Sequence, residues 1–219
     1  MTELVSFSGI DGAGKSTQIE SLSRRMKEKG RSVRIIRFWD DITTLKKLRE
    51  ATGHRIFKGD KGVGSPERPI NRRDKNVQSW PMTVVRLGIY ALDAFSLRTA
   101  AQKARRSGTD LVIFDRYIYD ELSNLPLSNR VIRVYVWLIL MLVPVPEISY
   151  LIDADPAMAR VRKPEYPIDF LYTSRDSYLT LAGIVREITV IEPSQIQEVE
   201  LAIWKHTRER LLVDFTTED

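Results

Sequence analysis

The 219-residue chain has no cysteine, so disulfide frameworks and thiolate metal sites are excluded while the redox compartment stays open. It has only two histidines, His54 and His206, and neither has partners that the sequence can supply, which speaks against histidine-based acid–base chemistry. The start, Met1 to Phe7, lacks the basic region and long apolar core of a secretory signal. Long hydrophobic runs are scarce as well. Val131 to Val145 is almost continuously apolar, but Arg133 and Pro144 interrupt it and it falls short of the roughly 20 residues that span a bilayer. It is expected to be a buried helix, and the default expectation is a cytoplasmic protein without membrane contact. Neither an internal repeat nor a low-complexity segment is present.

What the chain does have is an ordinary core composition, 43% hydrophobic, and a basic balance of +5 at pH 7. That charge favours anionic partners such as nucleotide phosphates, nucleic acid or an anionic surface. The length suits one domain carrying a lid.

Strand and helix signals alternate along it. Leu4 to Ser8 is β-prone and ends at a glycine; Lys15 to Lys29 is helical and stops at Gly30. Ser32 to Phe38 reads as a second strand, completing a βαβ unit and implying a parallel sheet. A helix is expected from Thr43 to Ala51. Gly53 to Gln78, rich in Gly, Pro, Arg, Lys and Asp, is expected to be a flexible basic loop. Trp80 to Arg106 reads as a long helix and Leu111 to Phe114 as a buried strand. Further strands are expected at Ile148–Ile152 and 187–191, and helices at 157–162, Asp169–Ile184 and 196–212. Trp80, Trp137 and Trp204 sit in helical patterns and are expected in the core. The whole predicts α/β architecture with a doubly wound five-stranded parallel sheet.

Gly9-Ile10-Asp11-Gly12-Ala13-Gly14-Lys15-Ser16, followed by Thr17, matches the full P-loop pattern between a strand and a helix. Glycines let the backbone curl so that N–H groups face phosphate oxygens, and the helix N-terminus adds positive potential. Lys15 is expected to reach the β- and γ-phosphates of ATP, and the Ser16 hydroxyl to ligate Mg2+. Asp115 follows an apolar strand and so lies on the same sheet edge. It either holds the water shell of the magnesium ion or caps the strand. Arg116 beside it either grips a second phosphate bidentately or shares that capping role. Trp39, after a strand end, is placed to face the acceptor pocket.

GIDGAGKSTQ in the loop, FDRY at Phe114 to Tyr117, and the segment Leu151 to Lys163 resemble the thymidylate kinase family, from Leu4 to about Leu211. The resemblance implies a P-loop NTPase three-layer α/β/α sandwich with a short lid at about 160–168. It also implies ATP as donor, a nucleoside monophosphate (dTMP) as acceptor, and a homodimer with apolar helices around Trp80–Leu97 and Val131–Val143 at its interface. Asp11 would lie near the sugar and the magnesium, and Arg116 and Arg49 would meet the acceptor phosphate. Tyr90, which by itself reads as core, falls where the family stacks an aromatic ring on thymine. Arg160, Arg162 and Lys163 would belong to the lid. With Ala13 in the loop, no arginine comes from the P-loop, so the lid must neutralise the transferring group.

Departures from the family cluster on the acceptor side. Arg37-Phe38-Trp39-Asp40 replaces Arg-Glu-Pro-Gly-Gly. Ala94 stands in place of an arginine, with Arg98 one turn on, and Tyr119 to Asn124 replaces small, base-reading residues. Two other functions therefore stay open. One is a nucleoside or other small-molecule kinase, with Asp11, Asp40 or Asp120 taking a hydroxyl proton. The other is a nucleotide-binding module with little turnover that contacts nucleic acid or protein through its basic loop; nucleic acid is the less expected partner.

Overall fold

A computed structural model describes residues 2–42 and 80–211. The expected helix at 43–51, Arg49, the basic loop at 53–78 and the side chain of Trp80, expected in the core, lie outside the described residues.

The elements follow the predicted alternation. They are β1 (Glu3–Ser8), α1 (Lys15–Glu28), β2 (Val33–Arg37), a π-helical turn (Phe38–Ile42), α2 (Trp80–Arg105), β3 (Leu111–Asp115), α3 (Ile118–Leu122), α4 (Arg130–Leu142), β4 (Ile148–Ile152), α5 (Pro156–Arg162), α6 (Ile168–Ile184), β5 (Ile188–Ile191) and α7 (Ile196–Leu211). The strands form a five-stranded sheet in the order β2-β3-β1-β4-β5, parallel throughout. The first strand sits at its centre, so the loop after β1 opens where the winding reverses direction. That position is the ligand-binding crevice of open parallel sheets.

Both faces of the sheet are covered. Leu4, Val112 and Phe114 point into one core cluster with residues of α2, α3 and α4. Val5, Phe7, Leu111 and Ile113 point into the other with α1 and α7. Alternate residues of one strand thus feed opposite cores, as the period-2 geometry of a strand requires. The result is the three-layer P-loop sandwich.

Three expectations change. The apolar run at α4 is not a buried helix: only Ile132, Val136 and Ile139 are buried on it, while Val131, Val134, Trp137, Leu138 and Met141 are half or more exposed. A helix lying on a sheet can hide only one stripe, and this sequence is apolar on the other stripe too. Trp137, 59% exposed, is therefore not core. Trp204 is partly buried with the Arg25 guanidinium over its ring at 5.7 Å. The second strand ends at Arg37 because Phe38 turns inward and is wholly buried. Among the described residues no helix is long and apolar enough to cross a membrane.

Candidate active site

The loop between β1 and α1 is built on glycines that other residues could not replace. Gly9 and Gly12 adopt φ 140° and 83°. A β-carbon on Gly9 would lie 2.5 Å from the Ile152 carbonyl oxygen, and one on Gly12 would lie 2.3 Å from that of Ala159. The missing side chains let the loop pass the end of β4 and let α5 settle against it. Lys15, first residue of α1, is buried and donates to the carbonyls of Gly9 (2.7 Å) and Ile10 (2.8 Å). Burial first, and then the neighbouring Arg116 guanidinium, lower its pKa to about 7. Ser16 and Thr17 lie exposed on the first turn of the helix. Ala13 is buried.

Asp115 ends β3 in register with Phe7 of β1, which brings its carboxylate close enough to act on the Lys15 charge. Arg116 follows with φ 72°, the one non-glycine residue with positive φ among those described. Such a conformation costs of order 1–3 kcal/mol and persists only where surroundings impose it. Here they are two carboxylates. Nη2 of Arg116 donates to Oδ1 of Asp11 at 2.5 Å, and Nη1 to Oδ1 of Asp120 at 2.8 Å. Burial works against the arginine's charge, but Asp120, then Tyr178 and Asp11, raise its pKa well above the ordinary value.

Asp120 is itself buried and also accepts from Ser8 Oγ (2.6 Å), the Tyr117 amide (3.1 Å) and Tyr178 Oη (2.7 Å). The Tyr178 hydroxyl is pushed far above the usual tyrosine pKa by burial and by the Asp120 charge. Above these groups opens a cleft. It is lined by Asp11, Arg116 and Asp120, by Ser123 and Asn124, by Phe170, Thr173, Ser174 and Ser177 of α6, and by Trp39. Trp39 packs edge-on against Phe38, centroids 5.3 Å apart.

Helix α5 lies against the phosphate loop. Asp155 caps its start by accepting from the amides of Ala157 (2.9 Å) and Met158 (3.0 Å). Arg162 Nη1 donates to the Gly12 carbonyl at 3.1 Å, and Lys163 Nζ stands 4.0 Å from Asp11. Arg160 is half-buried on the same helix. From the next helix, Arg175 grips Asp153 at the end of β4 with two contacts of 2.6 Å.

The structure thus brings Asp11, Lys15, Ser16, Asp115, Arg116, Arg162 and Lys163 around one loop and puts Trp39 among the residues lining the cleft. Other expected residues lie elsewhere. Tyr90 is buried in the core cluster that contains Phe38 and Tyr117 and is not among the cleft-lining residues. Arg98 is exposed and donates to the Leu142 carbonyl at 2.9 Å, at the C-terminal end of α4, where free carbonyls attract a cation. His206 serves Tyr150, whose hydroxyl lies 3.0 Å from its Nδ1. Phe170 and Tyr178 were not singled out by the sequence. The signal for Tyr178 was a tyrosine on the α6 pattern, which reads equally as core.

No protein-family model matches the chain. Among curated proteins it is similar to a thymidylate kinase of Bifidobacterium longum (27% identity, 91% of this chain and 92% of the relative) and a probable thymidylate kinase of Methanosphaera stadtmanae (24%, 87% and 89%). A shorter match of 47 residues, 47% identical, covers 22% of each chain with a thymidylate kinase of Chlorobaculum tepidum. In fold it is similar to the thymidylate kinases of Ehrlichia chaffeensis (TM-score 0.58, 22% identity, 94% and 98% covered) and Candida albicans (TM-score 0.61, 16% identity, 95% and 92% covered). Over nearly its whole length the chain is thus similar to thymidylate kinases in sequence and in fold.

Proposed function

We propose that this chain is a single-domain nucleoside monophosphate kinase that transfers the γ-phosphoryl group of ATP to dTMP. The observation that carries the reading is the pairing of two phosphate-handling cations at one sheet edge. Lys15 is buried in the phosphate loop, and Arg116, held by that loop's own Asp11, lines the adjoining cleft. A guanidinium with one edge on an exchangeable carboxylate suits an acceptor phosphate, which it can take bidentately.

Phosphoryl transfer asks for position and charge neutralisation. The backbone amides from Gly9 to Thr17 and the Lys15 ammonium receive the triphosphate. Arg160 and Arg162, with Lys163, approach from the lid and supply the positive charge that Ala13 does not. The acceptor phosphate, largely a dianion near neutral pH, attacks without a general base. Its sugar would lie near Asp11, and its base between Trp39 and Phe170 at the cleft mouth. Tyr90 and Arg98 are assigned no contact with it.

A magnesium ion fits this donor set. Among the described residues no cluster of His, Cys, Asp or Glu forms a protein cage, which suits an ion held mainly by phosphates and water. The Ser16 hydroxyl would ligate it and Asp115 would orient its water. When bound, the ion neutralises charge on the β- and γ-oxygens. We place the enzyme in the cytoplasm and assign it a homodimeric state, for which the apolar outer stripe of α4 beside α2 is the supporting feature.

The test is ADP release with ATP against dTMP, dUMP, UMP, CMP and free nucleosides. Turnover is expected with dTMP first. Turnover only with a nucleoside, or with none of the panel, would sink the reading.

A further inference from the structure

The buried carboxylate beside Arg116 is unexpected in a site that has to receive an anion. Asp11 already neutralises the guanidinium, and Asp120 adds a second negative charge at 2.8 Å. Stability alone is a weak explanation, since a buried ion pair repays little more than its desolvation. Its geometry suggests another role. Both oxygens of Asp120 are engaged, and the donors come from different elements: Ser8 at the end of β1, Tyr117 ahead of α3, and Tyr178 from the middle of α6.

Arg116 Nη1 and Tyr178 Oη share one oxygen, Oδ1. The other edge of the guanidinium, Nη2, meets Asp11. The two carboxylates differ in freedom: the Asp120 side chain is 1% exposed and that of Asp11 18%. One edge is therefore fixed in the core while the other can exchange its partner for a phosphate.

We propose that Asp120 is a positioning residue that locks Arg116 toward the acceptor cleft, and that through Tyr178 it couples this arginine to α6, the helix following the lid. The inference rests on the reading of Arg116 as the acceptor-phosphate ligand. Helix α6 is suited to the coupling. It leaves the lid turn that carries Lys163, is pinned at Arg175 to Asp153, and lines the cleft through Thr173, Ser174 and Ser177. A shift of α6 at lid closure is felt at Oδ1, and so at the arginine.

Orientation and simple charge predict opposite signs. If Asp120 only weakened the positive potential, removing its charge would tighten acceptor binding. If it positions Arg116, removal loosens it. Steady-state kinetics of wild type, Asp120→Asn, Tyr178→Phe and the double variant separate the two, with melting temperatures recorded for each. Asp120→Asn is expected to raise the KM for dTMP roughly tenfold, the value of about one charge-assisted hydrogen bond, with the KM for ATP unchanged within about twofold. Tyr178→Phe, which loses only a hydroxyl, is expected to raise the dTMP KM about threefold. The double variant is expected to be no worse than Asp120→Asn, because Tyr178 acts through Asp120.

A lower dTMP KM in Asp120→Asn overturns the proposal, as do equal rises in both KM values or additive effects in the double variant. A wild type that ignores dTMP but uses another monophosphate refutes the acceptor assignment, and the same comparison then proceeds with that monophosphate. If no monophosphate is used, both readings fall.

Discussion

Lys15 is buried among groups that set its charge, and its pKa near 7 makes that charge depend on pH in an unusual range. In the unfolded chain a lysine ionises near 10.5. Between these values the unfolded state binds more protons than the native state, so this group's contribution to stability rises with pH across that window. Below pH 7 it is charged in both states and the full penalty of burial applies. Denaturant melts of wild type and Lys15→Met should therefore diverge in one direction. The wild type should gain on the variant by up to about 1.4 kcal/mol per pH unit between about pH 7.5 and 9.5, and by nothing below about pH 6.5. A difference that stays flat across the range would show that the native lysine is not destabilised as an ion. The P-loop residues were legible because motif, strand and helix stand together in a few consecutive positions. From the sequence Asp120 reads only as a base for a hydroxyl acceptor, since its bond to Tyr178 spans 58 residues and no local pattern records it.

Among the elements, α5 depends most on one residue. It has seven residues, too few to stand without a cap or tertiary support. Asp155 supplies the cap, and Pro156 opens the helix with its φ already fixed. Replacing Asp155 by Ala should cost about 1 kcal/mol of local helix stability. That loss falls on Arg160 and Arg162, which we propose meet the donor phosphates, and not on the cleft of Arg116. The expected result is a several-fold rise in the KM for ATP with the acceptor KM little changed; the reverse pattern would detach α5 from donor binding. Alternation of strands and helices was readable for the long elements, where period 2 and period 3.6 have room to declare themselves. Helix α3 is not legible in the sequence because Ile118 to Leu122 completes barely more than one turn. The edge strand β2 was overextended because Phe38 is β-prone by type and only the tertiary core draws it into a turn.

At the scale of the whole molecule, α4 poses the remaining problem, because hydrophobicity reported its length but not which stripe would find a partner. Val131, Val134, Leu138 and Met141 recur at three- and four-residue steps and share one outward face, with Trp137 beside them. Helix α2, tied to α4 by the Tyr135 hydroxyl on the Leu87 carbonyl at 2.6 Å, adds Val85, Leu92 and Phe95, the last 66% exposed. An exposed apolar ridge on these helices is costly in water at about 25 cal/mol per Å2, and the homodimer proposed above would cover it. A second copy placing the same ridge against it would hide both with one self-complementary contact. Light scattering should then give twice the 25.2 kDa of one chain at micromolar concentration. Trp137→Glu and Phe95→Glu should each shift the protein toward monomer without lowering its melting temperature at high dilution, because neither side chain supports its own core. A wild type that is monomeric at micromolar concentration, or charged variants that remain dimeric, would move the interface to another face.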